Sequence, residues 1–133
     1  MISDKLKKLY LLAMLLIAAH GVEEYLSGFS YKDSFVFYFA SLFESKEQVF
    51  YWSFHIMWWL FIPIAYLLIL GGRWVLYLLS LFSVVFAFEL HHVIKGILSG
   101  GYYPGMITGF FYPILGIFFW RELVKNWRKH GSS

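Results

Sequence analysis

His20-Gly-Val-Glu23-Glu24 sets an imidazole and two carboxylates at the end of an apolar run long enough to enter a bilayer. Ionisable groups at membrane depth are costly, about 2.5–3.5 kcal/mol for an aspartate on insertion scales, and they mark positions that are used. The i, i+3, i+4 spacing puts all three on one face of a helix. Further along, Glu89-Leu-His91-His92 supplies a second carboxylate–imidazole pair three residues apart. Neutral imidazoles and carboxylates are the ligand set of zinc, iron and manganese. The same groups also serve as proton relays.

The elements that position these groups follow from composition. Of 133 residues, 60% are hydrophobic, and the 14% that are charged fall well below the share of a soluble domain. Fifteen Phe, ten Tyr and six Trp exceed what a small soluble core can bury, so the bilayer is their natural solvent. The absence of Cys excludes disulfides, thiolate metal sites, iron–sulfur clusters and a thiol nucleophile. The net charge of +3 gathers near the two ends and sets membrane orientation. No aromatic-studded basic surface remains for nucleic acid.

Apolar segments at 6–26, 49–70, 74–95 and 104–123 each approach the roughly 20 residues that cross a bilayer. The expected fold is all-α: a four-helix membrane bundle formed by one domain over residues 1–130. Residues 131–133 read as the remnant of an appended tag. Gly71-Gly72-Arg73 turns the second helix into the third, and Pro104 starts the fourth. Residues 28–48 contain the aromatic run 35–40, too short to span, which predicts a short interfacial helix, re-entrant piece or lid. The basic start and apolar run of the first segment also suit a signal peptide, but His20 and two Glu make a poor cleavage region. Lys5, Lys7, Lys8, Arg73, Arg121, Lys125, Arg128 and Lys129 fall on one side, which predicts cytoplasmic termini.

Counting depth along antiparallel helices brings His20, Glu23, Glu24, His55, Glu89, His91 and His92 to one outer level within about 10 Å, with Tyr103 and Thr108 at the start of the fourth helix. The inner half is expected to hold almost no His or Glu. Glu89 and His92 share a face, whereas His91 points about 100° away and shares its face with Lys95. The expected metal ligands are therefore His20, Glu24, His55, Glu89 and His92, holding one or two divalent ions, zinc or iron. Glu23 is the expected general base, with His91, Tyr103 and Thr108 supporting the site or touching substrate. Helix-bundle di-metal proteins use such Glu-x-x-His pairs, but here the second and fourth helices add no carboxylate near the site. Taken singly, His55 reads equally well as a histidine bonded to a backbone carbonyl, and Glu23 and Glu24 as a pair among headgroups.

The pattern His20-x-x-Glu23-Glu24 in a first apolar segment, with Glu89-x-x-His92 and then Tyr103-Pro104-Gly105 and Thr108, resembles the family of HXXEE-motif integral membrane proteins. The resemblance covers nearly the whole chain. It implies a small multi-helix membrane protein in which His20, Glu23, Glu24, Glu89 and His92 are the shared positions, and it carries no substrate with it.

Together these readings predict a metal-dependent membrane enzyme acting on a hydrophobic or lipid substrate from the bilayer. Hydrolysis is favoured over di-iron oxidation because the carboxylate count is short. The alternative is a small proton-coupled transporter or carrier built on the same cluster, which needs a homo-oligomer to widen its pore. An accessory subunit that packs through its aromatic surface is a third reading.

Overall fold

A computed structural model describes residues 1–131. Among the described residues nine helices follow one another: α1 Asp4–Ser27, α2 Phe29–Lys32, α3 Ser34–Ala40, α4 Lys46–Leu70, α5 Arg73–Phe82, α6 Val85–Phe88, α7 Leu90–Ser99, α8 Met106–Gly109 and α9 Phe111–Gly131. They form four spans, α1, α4, α5–α7 and α8–α9, each long and apolar enough to cross a membrane. At 1.5 Å per residue, a 25-residue helix such as α4 covers about 37 Å, more than the hydrocarbon core. Described residues include no strand. Of the tag remnant read at 131–133, residues 132 and 133 lie outside the described residues.

Local chemistry sets the boundaries. Ser3 caps α1 by accepting from the Leu6 N–H, and Gly28 ends it at φ 72°, a left-handed conformation that suits glycine. Ser45 caps α4 through the Gln48 N–H. The segment between the first two spans folds as the short helices α2 and α3. The fourth span departs from expectation: it starts at Met106 rather than Pro104, because Gly105 at φ 81° is the cap residue. The third span is not one smooth helix either. Between α5 and α7 the amides of Val84, Phe86, Ala87 and His92 bond the carbonyls three residues back, tightening the winding around Glu89.

α1 is the central helix and packs on α4, α8 and α9. Away from His20, the interior is filled by Leu6, Tyr10 and Ala13 of α1, Leu76 and Leu79 of α5, Phe86 of α6 and Phe119 of α9. Gly116 lets α9 approach α6, since a Cβ there would lie 2.8 Å from the Phe86 Cβ. The Tyr10 hydroxyl donates to the Phe61 carbonyl at 2.9 Å, tying α1 to α4 near Pro63. Large apolar side chains such as Leu15, Trp59, Ile69, Leu81, Phe88 and Ile114 point outward, the arrangement of a bundle solvated by lipid.

Both ends of the chain meet at the end of the bundle opposite His20. Asn126 accepts from the Ser3 N–H at 2.8 Å, and Glu122 accepts from the Ser3 hydroxyl at 2.8 Å. Glu122 is 8% exposed and Asn126 1%. This buried carboxylate corrects the expectation that every span Glu lies in the outer half. Its role there is legible: it fastens the start of α1 to α9.

Candidate metal centre

α1 delivers His20 and Glu24 to one point, and the tightened turn of the third span delivers Glu89 and His92 to the same point. His20 is 4% exposed and His92 1%. The two Nε2 atoms stand 3.3 Å apart. Glu89 Oε2 lies 3.0 Å from His20 Nε2 and 3.2 Å from His92 Nε2. Glu24 Oε1 lies 3.5 and 3.3 Å from the same two nitrogens. No Lys or Arg among the described residues reaches Glu24 or Glu89.

The remaining ring nitrogens settle the tautomers. His92 Nδ1 is 2.5 Å from the Pro104 carbonyl, which only accepts, so Nδ1 carries the proton. His20 Nδ1 is 2.6 Å from Thr108 Oγ1. That hydroxyl donates its single proton to Glu23 Oε2 at 2.5 Å, so it accepts from His20 Nδ1–H. With the rings neutral, both Nε2 lone pairs face each other and two carboxylates. Four acceptors converging in a buried site need a cation or added protons between them. Imidazoles whose outer N–H is held by a carbonyl or a carboxylate-linked group are how proteins orient metal-binding histidines.

Distances test the fit. His20 Nε2, His92 Nε2 and Glu89 Oε2 form a triangle with edges of 3.3, 3.0 and 3.2 Å. Tetrahedral bonds of about 2.0 Å require edges of about 3.3 Å, and octahedral bonds of about 2.1 Å require about 3.0 Å. The triad suits one face of either polyhedron. Among the described residues these three form the His/Glu group whose ligand atoms all lie within 4.8 Å of one another.

The other expected residues are placed as follows. Glu23 is not brought to the lone pairs. It accepts from the Tyr102 hydroxyl at 2.8 Å, the Ile107 N–H at 3.0 Å and the Thr108 N–H at 2.8 Å, besides Thr108 Oγ1. It thus holds the first amides of α8 and leaves no oxygen for a water at the cluster. Thr108 links it to His20. His55 is not brought in at all: it is exposed on α4, with Nδ1 2.8 Å from the Tyr51 carbonyl. His91 faces away, bonded to the Phe88 carbonyl, with its ring tilted 46° to that of His92 and centroids 3.9 Å apart.

Tyr103 donates to Asp33 at 2.8 Å, and the Lys95 ammonium pairs with the same carboxylate. Burial alone would raise the Asp33 carboxyl. The Lys95, Tyr103 and Val36 N–H bonds outweigh it and hold the group well below the usual carboxylate range. Burial, and then Asp33, push the Tyr103 phenol up. This tie anchors the α2–α3 segment, whose Phe29 ring packs 4.8 Å from His92.

Sequence reasoning missed three contributors. Gly105 is left-handed, and a Cβ there would fall 2.7 Å from His20 Cε1 and 2.7 Å from His92 Nδ1, so only glycine lets both rings sit. The Pro104 carbonyl orients His92. Asp33, which fixes the α2–α3 segment, sits in no motif of the sequence. The Pro-Gly pair was the available signal for the first two.

Two cavities flank the cluster. One, of about 350 Å³, runs between α1 and α4 and is lined by Ile17, Gly21, Phe50, Phe54 and Met57, with His20, Glu24 and Glu89 at its polar end. The other, of about 500 Å³, is bounded by Phe29, Phe88, His91, His92 and Lys95.

Four apolar spans surrounding a buried His/Glu cluster define an integral multi-pass membrane protein. The family model described as "Protein of unknown function with HXXEE motif" matches residues 11–119, and the chain belongs to that family. No curated protein and no solved structure matches it.

Proposed function

We propose that this protein is a metal-dependent membrane enzyme, hydrolytic in class, acting on a lipid-soluble substrate. The observation that carries the reading is the convergence of two buried imidazole Nε2 atoms and the Glu89 carboxylate on one point, with no Lys or Arg among the described residues paired to them. His20, Glu89 and His92 would hold a single divalent ion, which supplies Lewis acidity and lowers the pKa of a bound water when present. Thr108 and the Pro104 carbonyl keep both imidazoles in the ligating tautomer.

Glu24, rather than Glu23, takes the base role. Its oxygen lies beside both ligating nitrogens and on the wall of the α1–α4 cavity. Glu24 removes a proton from the attacking water and returns it to the leaving oxygen as the acyl bond breaks. The apolar walls of Ile17, Phe50, Phe54 and Met57 favour a hydrocarbon chain.

His55 lies elsewhere and, among the described residues, Glu24 and Glu89 are the carboxylates paired with the two imidazoles, which supports one ion and weakens a di-iron reading. An iron site using the same 2-His-1-carboxylate face is the second reading, favoured by the 3.0 Å edge. A carrier finds little support, because beneath the cluster Leu79, Phe86 and Phe119 are fully buried and apolar. Both termini are assigned to the cytoplasm on the basic residues at their shared end.

The test is to incubate zinc-loaded protein in liposomes of mixed bilayer lipids and read the products by mass spectrometry. The expected result is metal-dependent cleavage products, absent with His92→Ala. Oxygen-adduct products with iron would select the second reading. Identical lipid profiles for both proteins would overturn the enzyme reading.

A further inference from the structure

Tyr112 of α9 is fully buried, and among the described residues its hydroxyl is the buried side-chain polar atom with no hydrogen-bond partner. A buried, unpaired O–H is costly, and native proteins retain few. Its ring packs edge-on against His20, with centroids 5.2 Å apart and planes at 77°. It also lines the α1–α4 cavity together with His20, Glu24 and Glu89.

Packing does not explain the hydroxyl. Phe86 and Phe119 fill the neighbouring core, and phenylalanine would do the same at 112. The cluster facing the cavity offers lone pairs on Nε2 atoms and carboxylates. An oxygen arriving there meets acceptors, and Tyr112 is a buried, unpartnered donor on the wall of the same cavity.

We propose that the Tyr112 hydroxyl donates a hydrogen bond to the reacting oxygen of the substrate in this cavity, the carbonyl oxygen of an acyl lipid. The contact strengthens as that oxygen gains negative charge on attack by water, as donors in oxyanion sites do. This inference rests on the metal-site reading above, and it assigns the substrate's carbonyl to the Tyr112 side of His20.

The test uses decanohydroxamic acid, whose carbonyl stands in for the substrate's and whose chain suits the cavity. Its affinity is measured by calorimetry for wild type and Tyr112→Phe, each with and without zinc, and zinc content is measured in parallel. Tyr112→Phe should keep its zinc and bind the hydroxamate about tenfold more weakly. Replacing Tyr112 by 3-fluorotyrosine, which keeps the hydroxyl, should retain wild-type affinity. Equal binding by wild type and Tyr112→Phe would overturn the proposal and leave the metal reading standing. Tyr112-dependent binding by a wild type that takes up no zinc would uphold the donor and overturn the metal reading. A wild type that binds no hydroxamate under any condition would overturn the proposal.

Discussion

Thr108→Val tests whether the His20 tautomer is held for a metal. Valine matches threonine in shape and removes only Oγ1, which sits 2.6 Å from His20 Nδ1 and 2.5 Å from Glu23 Oε2. Glu23 keeps its bonds from Tyr102, Ile107 and the residue-108 amide, so α8 stays anchored. What is lost is the acceptor for His20 Nδ1–H. Outer partners of ligating histidines contribute about 10- to 100-fold in metal affinity, or about 1.4–2.7 kcal/mol. Competition with a fluorescent zinc chelator should therefore show a 10- to 100-fold weaker apparent Kd for Thr108→Val, with Thr108→Ser restoring most of it. Metal-free thermal midpoints should change little. An unchanged Kd, or a midpoint drop with no change in Kd, would refute the tautomer argument and leave Thr108 a capping residue.

Gly105→Ala should abolish tight zinc binding, more than 100-fold by the same competition, because its Cβ would intrude on both imidazoles; Gly109→Ala, whose Cβ would meet Val93 and Glu89 at 3.4 and 3.5 Å, should be far milder. His55→Ala should leave zinc content unchanged and shift stability by less than about 0.5 kcal/mol, as for an exposed residue. Asp33→Asn should loosen residues 29–40 by about 1 kcal/mol, read by hydrogen exchange, a modest figure because the Lys95 side chain is 43% exposed. The Asp33 carboxyl is held below its unfolded value, so its contribution is complete above about pH 4 and fades as pH falls further. The exchange difference between wild type and Asp33→Asn should accordingly shrink in acid and stay constant from pH 6 to 8.

The spans were legible because length and apolar content decide them. The meeting of His20, Glu24, Glu89 and His92 was legible from depth and face. The finer division was not. At 100° per residue, Glu23 and Glu24 lie about 60° and 40° to opposite sides of His20, and only the neighbours decide which side holds α8 and which the cluster. His55 sits on a helix that is apolar all round, so nothing in its sequence fixes the facing side. Glu122 was not singled out in the sequence, where it lies inside an apolar stretch near basic residues; its bond from the Ser3 hydroxyl and the burial of Asn126 beside it make it interior. Gly105 and the Pro104 carbonyl act through backbone, which side-chain patterns do not register. Tyr112 was one of ten tyrosines until its hydroxyl was seen without a partner.

On the proposed reading His20, Glu89 and His92 hold a divalent ion. Elemental analysis by mass spectrometry of detergent-purified wild type beside His20→Ala and His92→Ala tests it most directly. About one zinc or iron per chain is expected in wild type, and none in either variant while both remain helical and monodisperse. A well-folded wild type without metal, after growth and purification in zinc- and iron-replete medium, would contradict it and make the cluster a proton-sharing network.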